Sequence, residues 1–191
     1  MRPRTCPLLL RAAATRAHWY IWLIQKPGVP RHMPTFHKSD IARTQLETAV
    51  DIILKGFSYH SVITLAGAAS GILDGLLLTA GKEPFIDYAR RYAEQHGQTP
   101  GRVKFAHFID KTHGISSHKH MYETDEDPIE LDVEDLARRA VSRAVVEYIT
   151  LYGEEEPFVK LFLQWSWVTQ DGPEEMKRYA EVPPKMRPKA E

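Results

Sequence analysis

Apolar positions recur with helical spacing along most of the chain after residue 38. The longest such stretch is 60–80, HSVITLAGAASGILDGLLLTA, uncharged except for Asp74. Val62, Leu65, Ile72, Leu73, Leu76 and Leu77 cover most of a helix here, and a helix apolar nearly all round is buried in a core or a membrane. Gly67, Gly71 and Gly75 recur every four residues and therefore fall on one face. Each glycine disfavours a helix by about 1 kcal/mol relative to alanine. Three on one face predict the close approach of another backbone. A membrane span needs roughly 20 predominantly apolar residues. Asp74 and the shorter unbroken run point instead to the central helix of a soluble helical domain.

The flanking segments read as helices with start and stop signals. Ser39 is the expected N-cap of a helix over 40–55, with Asp40 in the first turn and Ile41, Leu46, Ala49, Val50 and Ile53 as its stripe. Gly56 stops it. Pro84 opens a helix over 84–96, with Phe85, Tyr88 and Tyr92 expected on its buried side. Thr99 and Pro100 open another, with Val103, Phe105, Ala106 and Ile109 as apolar positions, and Gly114 ends it. Residues 115–130 read as a polar connection. Asp132 is the expected cap of a long helix to Tyr152. Its stripe is Leu136, Ala140, Ala144, Val145, Tyr148 and Leu151, with Arg138, Arg139 and Arg143 away from it and Gly153 at its end. The next helix is apolar over most of its surface, with Phe158, Val159, Leu161, Phe162, Leu163, Trp165, Trp167 and Val168. An apolar surplus of that kind marks a partner interface if it stays exposed. The expected fold is all-α, a single-domain bundle of about five or six helices over 39–172. A short helix and a Pro-rich tail follow at 173–191.

Charge divides the chain further. Residues 1–39 carry seven Lys or Arg and no Asp or Glu, whereas 40–175 hold 13 basic and 23 acidic residues. Residues 1–38 read as an N-terminal extension. Met33 is the expected true start, and an Arg-rich, acid-poor transit peptide is the alternative. An acidic body argues against general nucleic-acid binding, which calls for a basic surface. A lone cysteine, Cys6, excludes a disulfide framework within the chain and suits a reducing, cytoplasmic compartment.

Candidate chemistry is sparse. His107, His113, His118 and His120 cluster in sequence, and imidazole carries protons or binds metal near neutral pH. No HExxH, CxxC or Glu-x-x-His spacing accompanies them, so neither metal nor cofactor is expected. The run Glu123–Asp127 resembles a calcium loop only in charge and reads as solvated loop.

The segments ARTQLETAVDIIL, VITLAGAASGIL, SSHKHMYETDEDPIELD and FVKLFLQW together resemble an uncharacterised bacterial all-helical family. That family pairs a Thr-Leu-Ala-small-Ala helix, here Thr64–Ala68, with a Lys-His loop, here Lys119 and His120. The resemblance covers roughly residues 40–168 and implies no established reaction. More distantly, the arrangement is similar to HEPN-type domains, some of which cleave RNA with an Arg followed by an apolar residue and a His four to six residues on. Lys111, Thr112 and His118 approach that spacing, with Lys in place of Arg and Thr in place of the apolar residue. Lys lacks the planar fork with which Arg holds phosphate. The first expectation is therefore association, as a homodimer or complex subunit through the 158–168 helix, with Phe162 and Trp165 as anchors and no membrane contact. The alternative is a metal-independent ribonuclease using Lys111, His118 and His120, and only that reading implies RNA as a partner.

Overall fold

His37 closes the first turn of α1 (Lys38–Leu54) on itself. Its ring Nδ1 accepts from Ser39 N–H at 3.3 Å while its own N–H donates to the Asp40 carboxylate at 3.2 Å. The cap is thus His37 and not the expected Ser39. The computed structural model describes residues 34–120 and 130–184. Residues 1–33 of the expected N-terminal extension, the acidic run Glu123–Asp127 and the end of the Pro-rich tail lie outside the described residues, and the last residue of that extension, Lys38, already belongs to α1.

Among the described residues the protein is all-helical. After α1 come α2 (Tyr59–Thr79), α3 (Phe85–Glu94), α4 (Arg102–Thr112), α5 (Ile115–Lys119), α6 (Val133–Tyr152), α7 (Pro157–Thr169) and α8 (Gly172–Glu181). The described residues hold eight helices, against the expected five or six. The excess lies in short elements, which carry too few turns for a period to show. The clearest is α5, in the stretch expected to be a polar connection.

The core forms where α2 packs against α1 on one side and α6 on the other. Leu46, Val50, Ile63, Leu73, Val141 and Val145 fill it, and Ala42, Ala49, Ala66, Ala69, Ala137, Ala140 and Ala144 are fully buried among them. Small residues at a helix contact let the axes approach closely, which tightens packing. α7 closes the bundle against α1 through Phe158, Val159 and Phe162, with Phe158 edge-on to Tyr148 at 5.3 Å between centroids. The Arg43 guanidinium holds α7 in place by donating to both Glu156 oxygens at 3.2 and 3.0 Å.

α2 has the length and composition of a membrane-crossing helix, yet one side of it forms this core. Asp74 pairs with Arg102 of α4 at 2.8 Å, and the same guanidinium reaches Asp87 of α3 at 3.0 Å. The glycine face does not behave as one surface. A Cβ at Gly67 would lie 2.7 Å from Ile115 Cγ2, so α5 does approach here. Gly71 and Gly75 face open space. Four residues overshoot a helical turn by about 40°, so the row drifts by about 80° from Gly67 to Gly75 and leaves the contact.

Other expectations shift by part of a turn. Ala42 is buried in α1 where Ile41 was expected. In α3 the buried residue is Ile86, flanked by half-buried Phe85 and Tyr88, while Tyr92 is exposed. Val103 of α4 is exposed and Phe105 alone of its apolar set is buried. The long helix keeps its signals: Asp132 accepts from Asp135 N–H at 3.1 Å, and Gly153 ends α6 with φ +80°. Arg143, expected away from its stripe, is buried.

Candidate functional site

α5 exists because Gly114 takes a left-handed conformation, φ +71°, and turns the chain sharply out of α4. Ile115 then drops into the space over Gly67, and His118, one turn on, faces the first turn of α2. His118 Nδ1 lies 2.7 Å from the Gly114 carbonyl, which can only accept, so Nδ1 carries the proton and Nε2 the lone pair of the neutral ring. His60 Nδ1 lies 2.8 Å from that Nε2 and therefore donates to it. This leaves His60 Nε2 as the free lone pair of the neutral pair. A shallow groove of about 480 Å³ runs beside them, lined also by Ser61, Thr64 and Leu65. Lys111 is exposed in the last turn of α4, and His120 is exposed just beyond α5. Neither lines this groove. Of the three predicted residues, His118 meets another histidine, and that histidine stands 58 residues away in sequence. His107 is exposed, and no group of three metal-binding side chains occurs among the described residues.

His113 lies elsewhere, beside the buried charge centre of α6. Arg143 donates to Asp110 at 2.6 Å and to Glu147 at 3.2 Å, and the Ser70 hydroxyl donates to the other Glu147 oxygen at 2.5 Å. The Phe85 ring lies under the Arg143 guanidinium at 5.9 Å. Glu147 is 1% exposed, and burial pushes its carboxyl up to about 7 against the pull of Arg143 and Ser70. His113 is 9% exposed, and burial, with the Arg143 and Arg139 charges, holds it down to about 4. It is neutral at pH 7, and its Nδ1 has no hydrogen-bond partner. A cavity of about 360 Å³ opens over this centre between α6, Phe85, His113 and Gln170. Of its lining, only His113 stood among the candidate residues in the sequence, because the walls come from four separate segments.

The third feature is the outward side of α7. Phe162, an expected interface anchor, is 2% exposed and belongs to the core, and Trp165 is half-buried against that core. Leu161, Leu163, Trp167 and Val168 face outward instead, Val168 being 75% exposed. Trp167 leans against Gly172 so closely that any Cβ there would overlap the indole.

No family model matches this chain, and neither a curated protein nor a solved structure shows significant similarity to it.

Proposed function

We propose that this chain acts by self-association, two copies pairing through the outward side of α7. One observation carries the reading: Leu161, Leu163, Trp167 and Val168 remain exposed on a helix whose other side is already committed to the core. A two-fold pairing uses the same patch on both copies. Run antiparallel about a point near Gln164, it sets Leu161 against Val168 of the second copy. Lys160, which pairs with Glu155 of its own chain, then falls near the C-terminal end of the second α7, where the helix dipole favours a cation. That charge match favours a second copy over an unrelated partner.

Sedimentation equilibrium tests this. The full chain is expected as a dimer at micromolar concentration. Leu161→Glu with Val168→Glu would bury unpaired charge and raise the dissociation constant by about 100-fold or more. The melting temperature should hold, because neither residue belongs to the core. A wild-type monomer at about 100 µM, or a variant that dimerises equally well, refutes the reading.

The contact between His60 and His118 favours a second reading, a HEPN-like metal-independent ribonuclease. In it His60, rather than Lys111 or His120, is the partner of His118 in moving the 2′-hydroxyl proton. The same preparation incubated with structured RNA in EDTA separates the two readings. Intact RNA is expected, and cleavage lost in His118→Ala would replace self-association with the enzyme.

A further inference from the structure

The cavity over the α6 charge centre presents more donors than acceptors. Arg143 is satisfied by Asp110 and Glu147. Arg138 and Arg139 share one carboxylate, Asp135, which lies 2.6 Å from Arg139 but only at 3.5 Å from Arg138. Gln170 lines the same space, and its Nε2 is buried without a partner. His113 faces it too, more than nine-tenths buried with Nδ1 unpaired. Ser142 stands one turn beyond Arg138, so its hydroxyl falls on the same helix face. Buried polar atoms are normally satisfied, so two unpaired ones on the wall of one cavity point to a missing partner. The surplus of positive charge sets the sign of that partner. A guanidinium fork, an amide N–H, a hydroxyl and an imidazole N–H together suit an oxyanion. The remaining wall is apolar, formed by the Phe85 ring and the half-exposed Val146. A volume near 360 Å³ stands at the small end of ligand pockets.

We propose that this cavity binds a small organic oxyanion, a phosphate or carboxylate carried on an apolar body about the size of one ring. Arg138, Gln170 and His113 take the oxyanion, and Phe85 and Val146 take the body. The site does not rest on self-association through α7. Bound anion also changes His113. Arg139 and Arg143 oppose its protonation while Asp110 and Asp135 favour it, and a further negative charge shifts that balance toward the imidazolium. The His113 ring is therefore a built-in reporter of occupancy.

The test is a titration of the full chain with phenyl phosphate, benzoate and inorganic phosphate. It is read from the His113 imidazole NMR signals, assigned by their loss in His113→Gln. Phenyl phosphate or benzoate should give a saturable shift, and whichever binds more tightly identifies the headgroup. Phenyl phosphate should bind about tenfold more tightly than inorganic phosphate, the contribution of a ring partly buried on Phe85. Arg138→Gln with Arg139→Gln should weaken binding by at least about tenfold, whereas Arg178→Gln on α8 should leave it unchanged. Should the double variant fail to fold, Ser142→Leu, which fills the cavity from a half-exposed position, should block binding instead. No saturable shift up to about 20 mM of any probe would overturn the proposal, as would affinity independent of both cavity variants. Equal affinity for phenyl and inorganic phosphate would overturn the apolar half of the site.

Discussion

The inward side of α2 places Gly67 against Ile115 and Ser70 against Glu147, while Gly71 and Gly75, about one and two turns beyond Gly67, face outward with open space above them. Inside, each small residue answers a neighbour: Gly67 admits α5, and the Ser70 hydroxyl completes the hydrogen bonding of a buried carboxylate. Outside, glycine lowers helix propensity with no compensating contact in the monomer. The difference teaches that a row of glycines reports a close approach only where the helix rotates it toward a neighbour.

The largest effect should come from breaking the inward network. Arg143→Met removes the partner of Glu147, which is 1% exposed, and stranding one member of a buried pair costs about 3–5 kcal/mol. Chemical denaturation at pH 7.5 should show that loss. It should shrink at pH 5, where Glu147 can take up a proton and become neutral. A loss below about 1 kcal/mol at pH 7.5 would put this centre on the same footing as the outward side.

A pH series sharpens the same contrast. His113 falls from the ordinary 6.5 to about 4 on folding, and Glu147 rises from 4.5 to about 7. Between pH 4 and 6.5 the unfolded chain holds the extra proton at residue 113, so this group adds stability as pH rises. Between pH 4.5 and 7 the folded chain holds the extra proton at residue 147, so this group removes stability as pH rises. The two oppose each other from 4.5 to 6.5. Glu147→Gln should therefore make the slope of stability against pH more positive than in the parent, and His113→Gln should make it more negative. Either change is bounded at about 1.4 kcal/mol per pH unit. Urea midpoints at pH 4.5, 5.5 and 6.5 measure it, and slopes unchanged in both variants would contradict the burial of these groups.

The smallest effects compare the glycines directly. Gly67→Ala forces Ile115 to shift and should destabilise by about 1–2 kcal/mol through overpacking. Gly71→Ala meets nothing and should stabilise by about 0.4–1 kcal/mol. Thermal melts should move in opposite directions, and a shift of the same sign in both would erase the distinction between the two sides.

Much of this was legible in the residues. The α6 stripe, the α1 stripe apart from Ile41, the Asp132 cap and the Gly153 stop were readable, and so was the apolar surplus of α7. Arg143 was misread because an arginine beside an alanine stripe looks like the edge of a solvated face. It is buried because Glu147 one turn on, and Asp110 from another helix, supply its counter-charges. The apolar residues of α7 could be counted in advance, but not sorted. Phe162 went to the core and Val168 to the surface according to where Arg43 pins the start of that helix. His118 was chosen for its spacing from Lys111, yet the fold pairs it with His60.

By itself the sequence determined the all-helical class and most helix limits, because those depend on spacing and caps within a few residues of each other. Only the tertiary structure decided which polar groups go inside, which glycines touch a neighbour and which histidines meet. Burial of Glu147, the fit of Ile115 over Gly67 and the contact of His60 with His118 each join residues tens of positions apart. No local pattern encodes such a distance. It is set by how whole helix faces pack, where partial charges and volumes from separate helices must be satisfied together.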